Sequence, residues 1–157
     1  MITAEPLSEP TLVTLPGGPA AVVRHDGVTM ATLRPLFDTG FTAIAGSGAA
    51  PNGPAFAHYL GDTSGLFDLE LGFPVAEPLA DPVPGQVTVQ PGRLPTGRAL
   101  ALSHRGAYGS LHEDWGQLDE RARRDGLVAR GMVEVYVTEP TPETDPTTLR
   151  TDLFLLI

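Results

Sequence analysis

The chain contains the same pattern of residues twice. The segment PAAVVRHDG at 19–27 matches RALALSHRG at 98–106, since each is an apolar run followed by His, one charged residue and Gly. A stretch with helical periodicity follows each segment, and two strand-like stretches follow each helix. We therefore expect two β-α-β-β units, over about 11–76 and 96–157, joined by a Pro-rich connector at 77–95.

Both expected helices, at about 28–45 and 107–125, carry a single apolar stripe. The stripes consist of Met30, Leu33, Phe37, Phe41 and Ile44 in the first helix and of Tyr108, Leu111, Trp115, Leu118 and Ala122 in the second. A unit of about 60 residues with one helix buries too little surface to be stable alone. We therefore predict a single α+β domain in which both helices pack on one face of a shared antiparallel sheet. A pseudo-two-fold axis would relate the halves, with a ligand cleft between them.

Length and composition limit the location of the protein. A chain of 157 residues fits one domain, and no apolar run approaches the ~20 residues that span a membrane. The N-terminal sequence MITAEPLSEP lacks the basic start and apolar core of a signal peptide. The sequence therefore predicts a cytoplasmic protein with no membrane partner.

Charge and residue types exclude several kinds of chemistry. All ten basic residues are Arg, and nineteen acidic residues bring the net charge to −9, so no direct binding of nucleic acid is expected. The absence of Cys rules out disulfides, thiolate nucleophiles and Cys-ligated zinc. The GSG at 46–48 lacks the third Gly of a dinucleotide loop, and the HED at 112–114 lacks the second His of a zinc helix. No cofactor and no metal are expected.

A candidate ligand site lies on the strand GMVEVYVTE, whose two faces differ. One face carries only valines and is expected to meet the helices; these residues are Val133, Val135 and Val137. The other face would then carry Met132, Glu134 and Tyr136. Alignment of Glu134 with Phe56 in the repeat places His58 opposite Tyr136. A carboxylate, a phenol, an imidazole and apolar side chains on one concave surface are typical of a small-ligand site.

Other interpretations of these residues stay open at this stage. The strand face with Glu134 is also compatible with a solvated outer face of an antiparallel sheet. Trp115, Phe37 and Tyr108 lie on the helical stripes, which favours core positions over the wall of a ligand cleft. His25 and His104 are expected in loops or helix caps, because both stand just before a predicted helix.

Three segments resemble the GyrI-like effector-binding domain, over about residues 10–157. They are HRGAYGSLHEDWGQL, GLVARGMVEVYV and the final TDLFLLI. That domain forms the ligand-sensing half of multidrug-responsive MerR-type and AraC-type transcription regulators, and its fold is a duplicated unit of SHS2 type. The resemblance implies a cleft that holds flat, hydrophobic and often cationic compounds between aromatic side chains. It also implies that the characteristic carboxylate of the cleft is Glu134, with Tyr136 beside it.

The resemblance leaves three functions open. Only about ten residues precede the first strand, so a complete transcription factor with its own DNA-binding helices is not expected, and the initial Met favours a stand-alone domain over an excised one. The favoured function is binding of a small hydrophobic ligand for drug sensing or sequestration, with a possible protein partner. An alternative is drug resistance by hydrolysis of cyclopropane-type DNA alkylators, with Glu134 activating water and Tyr136 positioning it or donating to a developing oxyanion. A second alternative is a gyrase-inhibitor-like module that binds protein through its acidic surface.

Overall fold

Both halves of the sequence contribute strands to one eight-stranded antiparallel sheet in the computed structural model, which describes residues 4–139 and 141–157. The first half contains β1 (Thr11–Pro16), β2 (Pro19–Val28), α1 (Leu33–Ala45), β3 (Phe56–Leu60) and β4 (Phe67–Pro74). The connector adds β5 (Gln90–Arg93). The second half contains β6 (Thr96–Arg105), α2 (Leu111–Arg124), β7 (Gly131–Tyr136) and β8 (Arg150–Leu156). The repeated β-α-β-β order is therefore confirmed.

The order of the strands places a cleft at the junction of the halves. Across the sheet the order is β1-β6-β8-β7-β3-β4-β2-β5, and the halves meet where β3 pairs with β7. Helix α1 packs on β2 and β4, whereas α2 packs on β6 and β8. The central pair β3–β7 therefore forms the floor of a cleft between two helices. The α+β fold with both helices on one sheet face agrees with the prediction.

The face opposite the helices is covered by the sheet itself. The sheet curls into a half-barrel, so that Leu15 of β1 and Val22 of β2 pack in one apolar cluster with Val133 and Phe154. Val135 belongs to the same cluster, which contains no residue of either helix. The prediction that the valine face of β7 meets the helices is therefore wrong. An apolar strand face needs burial, but a curled sheet buries it as well as a helix does.

The two helices begin in the same way, but only α2 has charges that match the helix dipole. Each α-helix is preceded by a 3-10 turn, at Met30–Thr32 and at Tyr108–Ser110. Helix α2 carries acidic residues in its first turn and Arg residues in its last, as the helix dipole favours. Gly126, with φ 70°, follows the end of α2, and a positive φ is readily adopted by glycine. In the part of the chain that the structure describes, neither helix has the length and apolar character needed to cross a membrane.

Candidate functional site

Glu134 lies on the floor of the cleft and accepts three hydrogen bonds. The hydroxyls of Tyr59 and Tyr136 donate to Oε1 over 2.8 Å and 2.9 Å, and the indole N–H of Trp115 donates to Oε2 over 3.0 Å. The carboxylate is buried, since Glu134 is only 7% exposed. No Arg or His among the described residues forms an ion pair with it. Within residues 4–139 and 141–157, the carboxylate is therefore stabilised by three neutral donors and by no cationic side chain.

The two tyrosine hydroxyls remain donors over a wide pH range. Burial raises the pKa of Tyr59 well above its usual value, and the nearby Glu134 carboxylate raises it further. The pKa of Tyr136 is raised well above its usual value by the same two effects. A second negative charge beside a buried carboxylate is unfavourable, so each phenol keeps its proton. Both hydroxyls therefore carry the protons that they donate to Glu134 at neutral pH.

A pocket of ≈ 280 Å³ opens above Glu134. Its walls are aromatic and aliphatic side chains from both halves together with a few polar groups: Met30, Tyr59, Thr63, Tyr108, Leu111, His112, Trp115, Met132 and Glu134. Ligand pockets usually measure about 300–1,000 Å³ and combine apolar walls with a few polar groups. This pocket lies near the lower limit, which corresponds to a ligand with one or two rings.

Tyr136 is held in place by aromatic rings from both helical regions. Its ring makes edge-to-face contacts with Phe37 of α1 and with Tyr108, at centroid distances of 6.1 Å in each case. Phe37 also packs edge to face on Phe41. Tyr108 is 39% exposed and lies at the rim of the pocket, whereas Phe37 does not line it. The rings thus fix the phenol that donates to Glu134 and leave Tyr108 accessible from solvent.

Trp115 is both a core residue and a pocket wall. It is 9% exposed and packs with Leu118 and Leu153 in the cluster beneath α2. Its indole also lines the pocket and donates to Glu134. The core position and the position in the cleft wall, which the sequence left as alternatives, therefore apply to the same side chain.

The predicted alignment of Phe56 and His58 with Glu134 is wrong by one residue. In the β3–β7 pair, Ala57 lies opposite Glu134, whereas Phe56 lies opposite Val135 and His58 opposite Val133. Because side chains alternate along a strand, Phe56 and His58 point to the inside of the half-barrel. Phe56 is fully buried there in the cluster with the valines.

The same shift brings Tyr59 into the site, which the sequence analysis missed. Tyr59 is 5% exposed and shares the cleft face with Glu134 and Tyr136. An alignment that matches FAHYL with VEVYV pairs Tyr59 with Tyr136 and Ala57 with Glu134. The two tyrosines that donate to one carboxylate oxygen thus occupy equivalent positions of the repeat. The matching phenols were the sequence signal for the correct register.

A buried histidine ties the second helix to the sheet near the pocket rim. His104 was expected in a loop or cap, but it lies inside β6 and is buried. Its Nδ1 lies 2.6 Å from Asp114 Oδ2, and its Nε2 lies 2.8 Å from the carbonyl oxygen of Ala107. These contacts fix the start of α2 and the preceding turn, which carries Tyr108. His25, also expected in a loop or cap, likewise lies inside a strand, β2.

A larger groove of ≈ 520 Å³ runs between α1 and the connector. Its lining consists mainly of small and aliphatic residues, with Asp38 as its carboxylate. It has no aromatic side chain in its lining, and the GSG segment at 46–48 contributes Gly46 and Ser47 to it. The pocket above Glu134 has the polar group, the rings and the enclosure that a ligand site requires. Among residues 4–139 and 141–157, no group of three or more acidic or His side chains is placed to hold a metal ion.

The fold and the central cleft define the class of protein to which the chain is similar. Two β-α-β-β units that share a curled antiparallel sheet, with both helices on one face, constitute the GyrI-like fold. The resemblance seen in the sequence is therefore confirmed at the level of the fold. No protein-family model matches the chain, and no curated protein matches it significantly.

Several solved structures share this fold. The crystal structure of the EcmrR C-terminal domain has a TM-score of 0.76 and 17% sequence identity, and the match covers 96% of this chain and 97% of that domain. A second EcmrR structure, solved in a complex with DNA, matches over 94% of this chain but over only 56% of the EcmrR chain. SAV2435 bound to tetraphenylphosphonium has a TM-score of 0.65 and 11% identity, over 94% and 92% of the two chains. A hydrolase from Listeria innocua has a TM-score of 0.59 and 14% identity, over 97% and 93%.

Proposed function

We propose that the cleft between α1 and α2 binds a small hydrophobic cation and that Glu134 is its anchor. The observation that carries this proposal is a buried carboxylate whose three hydrogen bonds all come from neutral groups. A buried charge without a countercharge is costly, because the desolvation of the ion is only partly offset. A ligand cation in the pocket would supply the missing charge.

The walls of the pocket suit the apolar part of such a ligand. Leu111 and Met132 offer aliphatic surface, and Tyr108 and Trp115 offer aromatic rings. A cation over an aromatic face gains about 0.5–2 kcal/mol. The attraction between unit charges about 4 Å apart amounts to roughly 4 kcal/mol at an effective dielectric constant of about 20. Charge is therefore expected to dominate the affinity, with the apolar walls setting the size and shape of the ligand.

The name of one similar structure supports binding of this kind. It is SAV2435 bound to tetraphenylphosphonium, which is a hydrophobic aromatic cation. A role in drug sensing or sequestration for this chain follows from the same proposal.

Binding is tested with two probes of equal shape and different charge. Benzyltrimethylammonium carries a permanent positive charge, and neopentylbenzene is its uncharged carbon isostere. Trp115, the single tryptophan, lines the pocket and reports on occupancy by fluorescence. We expect the cation to bind at least tenfold more tightly than the isostere, and E134Q to remove most of this difference. E120Q, which neutralises an exposed carboxylate on α2, is the matched control and is expected to bind like the unaltered protein. Equal binding of both probes would overturn the proposal.

A second candidate function is hydrolysis of a strained electrophile in the same pocket. It is favoured by the carboxylate in the pocket and by the Tyr59 phenol that donates to it, and two similar structures from Listeria innocua bear the name hydrolase. Glu134 would take a proton from water as the water oxygen bonds to a cyclopropane carbon. The ring C–C bond would break, its electron pair would pass to a carbonyl oxygen conjugated with the ring, and a proton from solvent would neutralise that oxygen. Incubation with a cyclopropane-bearing alkylator followed by mass spectrometry separates the functions. A water adduct that E134Q abolishes supports hydrolysis, whereas unchanged compound supports binding alone.

A further inference from the structure

Glu134 has one hydrogen-bond acceptor site that no described residue fills. An ionised carboxylate offers about four acceptor sites, two on each oxygen. On Oε1 both sites are taken, by Tyr59 and Tyr136, and on Oε2 one site is taken by Trp115. We infer, on the basis of the proposed function, that the natural ligand is a protonated tertiary amine that donates its one N–H to the remaining site on Oε2. A quaternary cation would supply charge but no donor.

The position of the carboxylate directs this site to the ligand. Glu134 lines the pocket, and the small exposed fraction that it retains is therefore reached from there. Tyr136, in contrast, donates to Oε1 without lining the pocket. A buried acceptor that lacks a donor raises the free energy of the folded protein, because its lost hydration is not replaced. A hydrogen bond to an ionised group is stronger than one between neutral groups. An N–H donor in the pocket would satisfy the one unfilled site.

The number of donors on the ligand follows from the number of acceptors. A tertiary ammonium has one N–H and three carbon substituents, so that the N–H faces Oε2 and the substituents face Met30, Leu111 and Met132. A primary ammonium has three N–H groups, and each one that reaches neither Glu134 nor the polar groups of Thr63, Tyr108 and His112 weakens binding. The one free acceptor site on Glu134 therefore favours a ligand with one donor.

The test compares cations that differ in a single group. N,N-dimethylbenzylammonium and benzyltrimethylammonium have the same ring and, near pH 7, the same charge, but only the first has an N–H. Calorimetric titration is expected to show roughly ten- to hundredfold tighter binding of the tertiary ammonium, the range for a hydrogen bond to a charged group. Equal or tighter binding of the quaternary cation overturns the inference while the proposed function stands. If neither cation binds, the proposed function itself fails.

A variant of the site checks the count of acceptors independently. Y59F removes one donor from Oε1 and thereby frees a second acceptor site beside the pocket, which Tyr59 also lines. N-methylbenzylammonium has two N–H groups and is expected to gain affinity relative to the tertiary ammonium in Y59F. Thermal unfolding of the variant confirms that it is folded under the conditions of the titration. An unchanged ratio of the two affinities would contradict the assignment of acceptor sites.

Discussion

Replacement of Tyr59 or Tyr136 by phenylalanine removes one hydroxyl donor from Glu134 and leaves the ring in place. Each hydroxyl bonds the same oxygen, over 2.8 Å for Tyr59 and 2.9 Å for Tyr136. A hydrogen bond to a charged group contributes about 1.5–3 kcal/mol. For a chain of this size, 1 kcal/mol corresponds to roughly 2–4 °C in Tm. Each single variant is therefore expected to lose about 2 kcal/mol of unfolding free energy and roughly 4–8 °C in Tm.

The double variant Y59F/Y136F tests whether the two bonds act on one buried charge. With both hydroxyls removed, Oε1 keeps no donor among the described residues, and only the Trp115 bond to Oε2 remains. The loss is expected to exceed the sum of the single losses, because the second removal exposes the desolvation cost of the carboxylate.

Urea unfolding followed by Trp115 fluorescence measures the unfolding free energy of each variant. Y108F is the matched control, since it makes the same chemical change on a ring that is 39% exposed and donates to no group in the described residues. Its unfolding free energy is expected to change by less than about 0.5 kcal/mol, as for most surface changes. Losses in Y59F and Y136F no larger than in Y108F would refute the hydrogen-bonding arrangement around Glu134.

Two further predictions concern the inside of the half-barrel. Burial lowers the pKa of His58, with a further lowering by Arg24 and an opposing effect of Glu70, so the folded state favours the neutral imidazole. The lowered pKa of His58 stabilises the folded state above the unfolded pKa of about 6.5, and this stabilisation is lost as the pH falls towards the lower folded value. H58Q should therefore flatten the pH dependence of the unfolding free energy, measured with urea, between about pH 7 and 5. An unchanged slope would show that His58 is not buried as described. In G72A, the new Cβ would lie 2.8 Å from the carbonyl oxygen of Ala21 and 2.8 Å from Phe56 Cζ, so a loss of about 1–3 kcal/mol in unfolding free energy is expected. A neutral G72A would contradict the packing of Phe56 over this position and with it the register of β3.

The repeat made most of the fold predictable from the sequence. A helix with one apolar stripe can bury that stripe only against another element, and two such units of similar pattern pair most simply in one sheet. Glu134 and Tyr136 could be placed on one strand face because alternation along a strand is a local property. Helical periodicity is also a local property, and the apolar stripe of α2 therefore identified Trp115 as a residue that faces the sheet.

The local pattern of β3 and β7 did not fix their register, and only the matching tyrosines of the repeat, Tyr59 and Tyr136, indicated it. Both strands carry apolar or aromatic residues on both faces, so a shift of one residue leaves the local alternation almost equally plausible. The sequence also did not determine which face of the sheet meets the helices. Val133 and Val135 are buried in the structure, and an apolar pair like this would be buried on either face. Only the curl of the sheet, which depends on contacts between β1 and β2 far apart in the order of strands, decides the question.

The cross-strand pair of Ala57 and Glu134 has a consequence for how many ligands one chain can hold. These residues occupy equivalent repeat positions directly opposite each other, where Cβ atoms lie about 4.5–5.5 Å apart. Two identical halves, as in a homodimer, would place two like charges at that distance and repel each other. Joining the halves in one polypeptide allows alanine in the first and glutamate in the second. The duplication thus converts a symmetric junction into a site with one charge, and the proposed function therefore predicts one bound cation per chain.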